Sequence, residues 1–351
     1  MKVAIVILNY NGRKYLEQFL PSVIKYSDGK RVENSFFTPE IIVADNASTD
    51  DSVDFLKTTY PNITLVQLDK NYGFAEGYNQ ALKDVNANIY VLLNSDVEVT
   101  DNWLAPVITV LKMNRTVVAC QPKIRAFHNK THFEHAGAAG GYMDSLGYPF
   151  CRGRLFDNVE KDEGQYDNQH EIFWATGAAL FIKSAQFHKI GGFDGDYFAH
   201  MEEIDLCWRL RKAGYQILAV PQSTVYHVGG GTLNTENPYK TYLNFRNNLI
   251  TILKNENGWK VYYIFFLRLI LDGLAGLKFL MEGKFKNIWA IIKAHFYIYS
   301  HPIIILHKRM KAQQLIDEMY ISEKRTRGKI NGSIVLKYYI QGKKTFKELK
   351  K

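Results

Sequence analysis

The sequence predicts an open α/β fold in which a mostly parallel sheet is covered by helices on both faces and followed by a helical extension. Three patterns point there. Short β-branched runs alternate with helical stretches of ten to fifteen residues through the first half of the chain. Those runs are apolar almost throughout, as strands buried on both faces require. Beyond Tyr239 the chain changes to segments rich in aromatic residues and lysine.

In chain order, Val3–Leu8, Ile41–Ala44, Ile63–Leu68, Ile89–Leu93 and Val117–Ala119 read as strands. Arg13–Tyr26, Thr49–Tyr60, Ala75–Val85 and Asn102–Lys112 read as the helices between them. From about Phe127 to Glu171, glycines and charges break the pattern, and the stretch reads as loops or a hairpin lining one side of a site. Order returns between Ile172 and His227, with a strand over Gln216–Val220. A chain of 351 residues exceeds what one ordinary core uses, so two units are expected, 1–238 and a basic extension 239–351.

With 46% apolar and 23% charged residues, the composition excludes a disordered tail, a collagen and a low-complexity scaffold. Cys120, Cys151 and Cys207 form neither a disulfide framework nor a zinc pattern, and read as small core or loop residues in a reducing compartment. The net charge of +9 is unevenly spread: residues 241–351 hold 21 Lys and Arg against 7 Asp and Glu, whereas residues 1–240 hold 23 against 28. Met1 and Lys2 lead straight into the first strand without the apolar length or cleavage site of a signal peptide, so a cytoplasmic location is expected.

Ligands of open α/β sheets bind beyond the carboxyl ends of the strands. The first strand ends in Asn9-Tyr10-Asn11-Gly12 and the second in Asp45. Ser48 and Asp51 are spaced as a capping box for the next helix, with Asp50 and Asp51 as dipole partners. Asp45 precedes that cap, where a carboxylate meets a base edge or a ribose hydroxyl. Asn71-Tyr72-Gly73-Phe74, with Gly77 and Asn79, opens the following helix, and fits either a loop approaching a nucleotide or a turn needing a glycine at positive φ. Neither G-x-G-x-x-G nor a P-loop occurs, which removes the main sequence support for a dinucleotide oxidoreductase or a P-loop NTPase.

The fourth strand runs into Asn94-Ser95-Asp96. Oxygen-bearing side chains at i and i+2 share one face and suit a hard divalent cation, or they cap a turn. Farther on, Glu202, Glu203 and Asp205 open a helix after Gly191-Gly192. They read as dipole partners on a solvated helix end, or as clustered carboxylates, one raised towards a usable general base. His227 stands before Gly229-Gly230-Gly231-Thr232 and is expected in an exposed, mobile loop.

Taken in this order, over roughly residues 2–250, these motifs resemble the family 2 inverting glycosyltransferases of the GT-A fold, particularly the bacterial rhamnosyltransferase-like members that build surface polysaccharides. Ala175-Thr176-Gly177-Ala178 adds to the likeness. The resemblance implies transfer of a sugar, rhamnose being suggested, from a UDP- or dTDP-sugar to a hydroxyl of a glycan or lipid-linked glycan, with Mn²⁺ or Mg²⁺ as cofactor. It implies a nucleotide-binding part at about 1–120 and an acceptor part at about 121–238. Asp45 would hold the base, and Asn9, Tyr10, Asn71, Gly73, Asn79, Asn94 and Ser95 would shape the donor pocket. Asp96 and His227 would hold the metal, the imidazole tilting the choice towards Mn²⁺.

Two departures stand out. The family's Asp-x-Asp is Asn94-Ser95-Asp96 here, with one carboxylate lost, and its usual Glu-Asp pair is Glu202-Glu203. The base role falls to Glu203, with Glu202 second. Trp174, Thr176 and Gly177 resemble an acceptor-side segment, a buried strand edge being the other reading.

Residues 261–281 are long enough to span a bilayer, but Arg268, Asp272 and Lys278 oppose it, at about 2.5–3.5 kcal/mol for a charge at a helix centre. Aromatic and leucine faces with lysine rims suit helices lying peripherally on the inner face of the cytoplasmic membrane; the other reading is a packed appendage with a solvated basic face. No nucleic-acid-binding module accompanies the basic segment, so nucleic acid is not expected as a partner. Two rivals to sugar transfer remain: nucleotidyl transfer, opposed by the Glu203 and His227 blocks, and a catalytically degenerate nucleotide-sugar or glycan-binding assembly protein, raised by Asn94 and Glu203.

Overall fold

Both sides of the first strand, β1 (Lys2–Asn9), are apolar: Val3, Ile5 and Ile7 join one buried cluster, Ala4 and Val6 the other. A strand buried on both faces belongs in mid-sheet. In this computed structural model, which describes residues 1–27, 37–229, 237–322 and 327–349, β1 lies between β2 (Thr38–Asp45) and β4 (Ile89–Asn94), parallel to both. β3 (Thr64–Gln67) adds to β2 in parallel. Helix α1 (Arg13–Tyr26) buries Leu16, Leu20 and Val23 on the Val3 side, and α3 (Gly73–Ala81) buries Ala75, Tyr78 and Ala81 on the Ala4 side.

The second connection, α2 (Ser52–Thr59), starts three residues later than the spacing predicts. Ser48 forms no capping box; its hydroxyl accepts from Asn9 Nδ2 (3.1 Å) and the Asn11 N–H (2.9 Å), tying the first two strand ends together.

Beyond β4 the sheet is mixed. β5 (Val97–Val99) and α4 (Ala105–Met113) lead into β6 (Val117–Ala126). β12 (Ala179–Lys183) lies between β4 and β6, antiparallel to both, because an all-apolar run carries no mark of strand direction. β13 (Gln216–His227) runs parallel to β6, and β5 and β11 (His170–Glu171) pair with it antiparallel. β6 continues past Ala119 through Gln121-Pro122-Lys123. Pro122 has no N–H for the ladder, and β13 shifts register between Val220 and Thr224 opposite it before pairing resumes as far as His227.

The glycine-rich stretch forms a four-stranded antiparallel sheet of β7 (Gly141–Met143), β8 (Pro149–Cys151), β9 (Arg154–Leu155) and β10 (Asn158–Val159). After α5 (Ser184–Lys189), helix α6 (Glu202–Lys212) is buried nearly all round. The three cysteines are free and buried, as small core residues.

α7 (Pro238–Asn255) packs against α6, and α8 (Lys260–Met281), α9 (Phe285–Ser300) and α10 (Pro302–Glu318) build outwards from it. In α8, Arg268 and Asp272 pair at 3.1 Å, and Asp272 meets His295 at 3.1 Å, so two of the three charges that oppose membrane crossing face the protein interior, while Lys278 stays exposed beside Glu282. The chain then returns to the small sheet: α11 (Ile334–Tyr339) begins with its Ile334 N–H on Asp144 (2.9 Å), and in α12 (Phe346–Leu349) the Phe346 ring lies 4.6 Å from that of Tyr142.

Lys254 of α7 bridges Asp194 and Asp205, each at 2.9 Å, in a site closed to water. Burial alone would raise both carboxyl pKa values. Lys254, with Lys308 beside Asp194 and Arg209 beside Asp205, brings them below the ordinary range instead. Lys254→Met leaves two buried carboxylates short of a partner and is expected to cost about 3–5 kcal/mol in urea unfolding at neutral pH. Carboxyl pKa values depressed in the folded state give stability that is present above the unfolded values and lost as pH falls, so the gap between wild type and variant should narrow in acid.

Candidate active site

β1, β2, β4, β6 and β13 all end on the same edge of the sheet. Asn9, at the end of β1, is buried. Its amide donates to Asp45 Oδ1 and to Ser48 Oγ, both at 3.1 Å, and its Oδ1 has no partner. Asp45 also accepts the Ser48 N–H (2.9 Å), so the carboxylate is held rigidly at the strand end. Tyr10, 41% exposed, stands at the open side.

Asn46 ties this corner to the lead-in of α3. It accepts the Tyr72 N–H (3.0 Å) and donates to Asn71 Oδ1 (3.0 Å) and the Gly73 carbonyl (2.9 Å). Sequence reasoning passes over Asn46, since one more amide in a strand-end turn has no spacing signature. Gly73 is required here: φ is +74° and a Cβ would lie 2.5 Å from the Phe198 ring. Asn79 is taken up elsewhere, its amide bonded to both the N–H and the carbonyl of Phe193 at 3.0 Å.

His227 is buried, not in an exposed loop, because the resumed pairing of β13 carries it to the strand end; Gly230, Gly231 and Thr232 lie outside the described residues. Its Nε2 is 3.2 Å from Asp96 Oδ1 and 3.5 Å from Asn94 Nδ2, and its Nδ1 is 3.5 Å from Glu134 Oε2. Burial would lower the imidazole pKa, but Asp96 and Glu134 outweigh it and raise it to about 10. Glu134 comes from the irregular stretch, where no spacing links it to Asp96 or His227. Among the described residues no cluster of three or more His, Cys, Asp or Glu is arranged to hold a metal. Asp96 and His227 nonetheless fit an ion shared with a ligand, since Mg²⁺-like ions take one or two protein carboxylates plus substrate phosphates.

Phe198, His200 and Met201 precede α6 with φ of 64°, 71° and 76°, conformations that cost about 1–3 kcal/mol each in a non-glycine residue. Two devices hold them. The Phe198 carbonyl accepts the N–H groups of Phe74 (2.6 Å) and Ala75 (3.1 Å) at the start of α3. From α7, Asn247 Nδ2 donates to the carbonyls of Tyr197 (3.0 Å), Ala199 (2.9 Å) and His200 (2.8 Å).

The loop delivers Glu202, buried, and Glu203, partly exposed, each with Oε2 unpartnered. The first turn of α6 is therefore no solvated helix end. Burial raises both pKa values, Glu202 further because the Glu203 charge is next to it. Glu203 is brought to about 7, the backbone N–H groups of Gly177 and Ile204 moderating the rise. Gly177 thus touches Glu203, and its neighbour Ala178 accepts the Asn94 N–H (3.0 Å), linking Glu203 to the end of β4. Trp174 and Thr176 are buried; the indole donates to the Tyr142 carbonyl (2.9 Å) and the Thr176 N–H to Gln121 (3.0 Å).

The family model "Glycosyl transferase family 2" matches residues 4–186, which contain the Asn9, Asp45, Gly73 and Asp96 corners. The chain belongs to glycosyl transferase family 2. It therefore transfers a sugar from a nucleotide-activated donor, which removes the nucleotidyl-transfer reading. An N-acetylglucosaminyl-diphospho-decaprenol L-rhamnosyltransferase of Mycobacterium tuberculosis is 22% identical over 73% of this chain and 85% of the relative. The low-salt glycan biosynthesis hexosyltransferase Agl10 of Haloferax volcanii is 20% identical over 76% of this chain and 86% of its own length. Among solved structures, the mannosyltransferase PcManGT of Pyrobaculum calidifontis, in complex with GDP-Man and Mn²⁺, matches with a TM-score of 0.50 and 16% identity over 90% of this chain and 81% of that one. That likeness shows the fold, a GT-A-type mixed sheet with helices α7–α12 following it.

A carboxyl pKa raised in the folded state costs stability as pH climbs from the unfolded value, about 4.3, to the folded one. Glu203→Gln removes that cost. The variant is expected to match wild type near pH 4 and to melt higher above pH 7, by about 1–3 kcal/mol, as read by thermal unfolding across pH.

Proposed function

We propose that this glycosyltransferase inverts the configuration of the transferred sugar and uses Glu203 as general base. The observation that carries the reading is the Glu202–Glu203 pair, Glu202 buried and Glu203 partly so, each with its Oε2 unpartnered, delivered by a strained loop bonded to the donor-side Gly73 corner. Asp45 and the free Oδ1 of Asn9 meet the donor base, and Tyr10, Asn71, Gly73, Asn94 and Ser95 line or support that pocket; Asn79 supports it from behind. Asp96 and His227 would hold a divalent cation, Mn²⁺ or Mg²⁺, which when bound neutralises charge on the leaving diphosphate. Glu203, deprotonated, takes the proton of the acceptor hydroxyl as its oxygen bonds to the anomeric carbon and the nucleoside diphosphate departs with the electron pair. Gly177 holds Glu203 on the acceptor side, with Trp174 and Thr176 behind it.

The acceptor in this reading is a glycan, or a glycan carried on a lipid, used in surface-polysaccharide synthesis. The names of the two relatives support a glycan or lipid-carried acceptor, and the first also supports rhamnose as the sugar, with UDP or dTDP as the carrier in this reading. Glu203→Gln should lower turnover about 10²–10⁴-fold with donor affinity kept. Wild-type kcat/KM should rise with pH and level off above about 7. A variant retaining more than about a tenth of the activity rules Glu203 out, and absence of turnover with every UDP-, dTDP- and GDP-sugar tried, despite tight binding, favours the degenerate binding protein.

The same reading places the protein peripherally on the inner face of the cytoplasmic membrane. Among the described residues no single helix is long and apolar enough to cross a membrane; α9 and α10 pass together by length and composition, but bend by 74° between them. α8 is inverted in polarity. Arg268 and Asp272 point inward, while Tyr263, Phe266, Ile270, Leu274, Leu277 and Met281 form an exposed apolar stripe. Contiguous apolar surface of that kind calls for a partner, and the basic charge of residues 241–351 suits anionic lipid. Flotation with anionic vesicles should carry the wild-type protein, less so in high salt, and Phe266→Ser/Leu274→Ser should leave it in the soluble fraction with donor binding unchanged.

A further inference from the structure

A groove of about 810 Å³ runs between α7 and α9, with Tyr239, Tyr242, Phe285, Trp289, Phe296 and Tyr297 among the residues that line it. None of the donor-side or base residues borders it. Its lining is aromatic and apolar, and its charged members are Lys286 and Lys293, one heptad apart on α9 and so on one face of that helix. Trp289, one turn from each lysine, is 58% exposed and Phe296 69%, which is unusual for large apolar side chains lining a concavity.

Two contacts tie the groove to the base loop. The Tyr239 ring lies 6.1 Å from that of Phe198, the residue whose carbonyl caps α3. The Tyr297 ring lies 5.3 Å from the guanidinium of Arg246, which donates to the carbonyls of Asp196 (2.8 Å) and Tyr197 (3.1 Å). α9, which forms one wall of the groove, also packs against α8 and α10, and both of those helices expose apolar side chains.

We infer that this groove seats the lipid end of a lipid-linked acceptor, a long unsaturated hydrocarbon chain bearing a phosphate or diphosphate. Aromatic walls match a chain of alkenes, and two lysines at the rim match the anionic group between chain and sugar. A bilayer contacts a flat or convex face; a groove that ends beside the base loop fits one extended chain whose head continues towards Glu203. The inference rests on the acceptor reading under Proposed function, and names the part of the chain that recognises it.

The test uses calorimetry on the full chain with farnesyl diphosphate in EDTA, so that no metal recruits the diphosphate to Asp96 and His227. Saturable binding is expected, at least tenfold weaker in Lys286→Glu/Lys293→Glu and in Trp289→Ala/Phe296→Ala. These four side chains are at the surface, and unchanged melting of each variant and unchanged affinity for the donor nucleotide with Mn²⁺ confirm that the fold is intact. Phe266→Ser/Leu274→Ser should keep farnesyl diphosphate binding while losing vesicles, which separates the groove from the membrane face. Inorganic diphosphate binding as tightly as farnesyl diphosphate, or equal farnesyl diphosphate affinity in wild type and both groove variants, overturns the proposal. No farnesyl diphosphate binding by a protein that still binds nucleotide and transfers sugar overturns the groove alone, whereas failure to turn over any donor overturns the reading it rests on.

Discussion

The segment from Tyr197 to Met201 is the constraint on which the site depends. Three non-glycine residues in left-handed conformations do not persist in a free loop, where each would relax. They persist because the Phe198 carbonyl is fixed by two N–H groups of α3, and because the fully buried amide of Asn247 collects three carbonyls from the other side. The first bond joins the base loop to the corner that begins at Asp45 and passes through Asn46 and Gly73. The second makes α7 part of the active-site framework. The strand-end corner, the loop before α6, and α7 itself are therefore hydrogen-bonded into one framework.

Charge in α6 shows the same selectivity. Asp205 pairs with Arg209 and Lys254, and Arg211 with Glu171, each inside the protein. Breaking such a pair is costly because the survivor stays buried without a counter-charge. Glu202 and Glu203, one turn earlier on the same helix, have no basic partner in any ion pair among the described residues. A helix that pairs Asp205, Arg209 and Arg211 with opposite charges keeps two carboxyl groups raised at its start, and perturbed carboxyls of that kind mark a candidate proton-transfer site.

Much of this was legible in the sequence. Apolar runs placed β1 to β4, and the polar residues after them marked the strand-end corner of Asn9 and Asp45, because both are short-range patterns. The rest depends on long-range pairing. The bulge opposite Pro122 is what carries β13 on to His227, so a histidine that reads as exposed is buried beside Asp96. Ser48 has a capping spacing, yet its hydroxyl serves Asn9 and Asn11 of another strand end. Arg268 and Asp272 break an apolar run and read as opposing a membrane span, and the structure shows how: they pair inward and leave the apolar residues outside. Asn46, Glu134 and Asn247 act on partners far along the chain, and nothing in their neighbours announces it.

Asn94 gains a physical reading from the same geometry. Replacing an acid by an amide at the end of β4 suggests a weakened cation site, but the carboxylates around His227 still number two, Asp96 against Nε2 and Glu134 against Nδ1. The two carboxylates keep that imidazole charged, so Nε2 would have to give up its proton before it could ligate a cation. An aspartate at position 94, the residue of the family's Asp-x-Asp, would stand 3.5 Å from Nε2 as the amide does and add a third carboxylate to this corner. With Glu134 already supplying the second carboxylate, a neutral Asn94 leaves His227 with acidic neighbours at both of its nitrogens, so the departure at this position does not strip the corner of its charge.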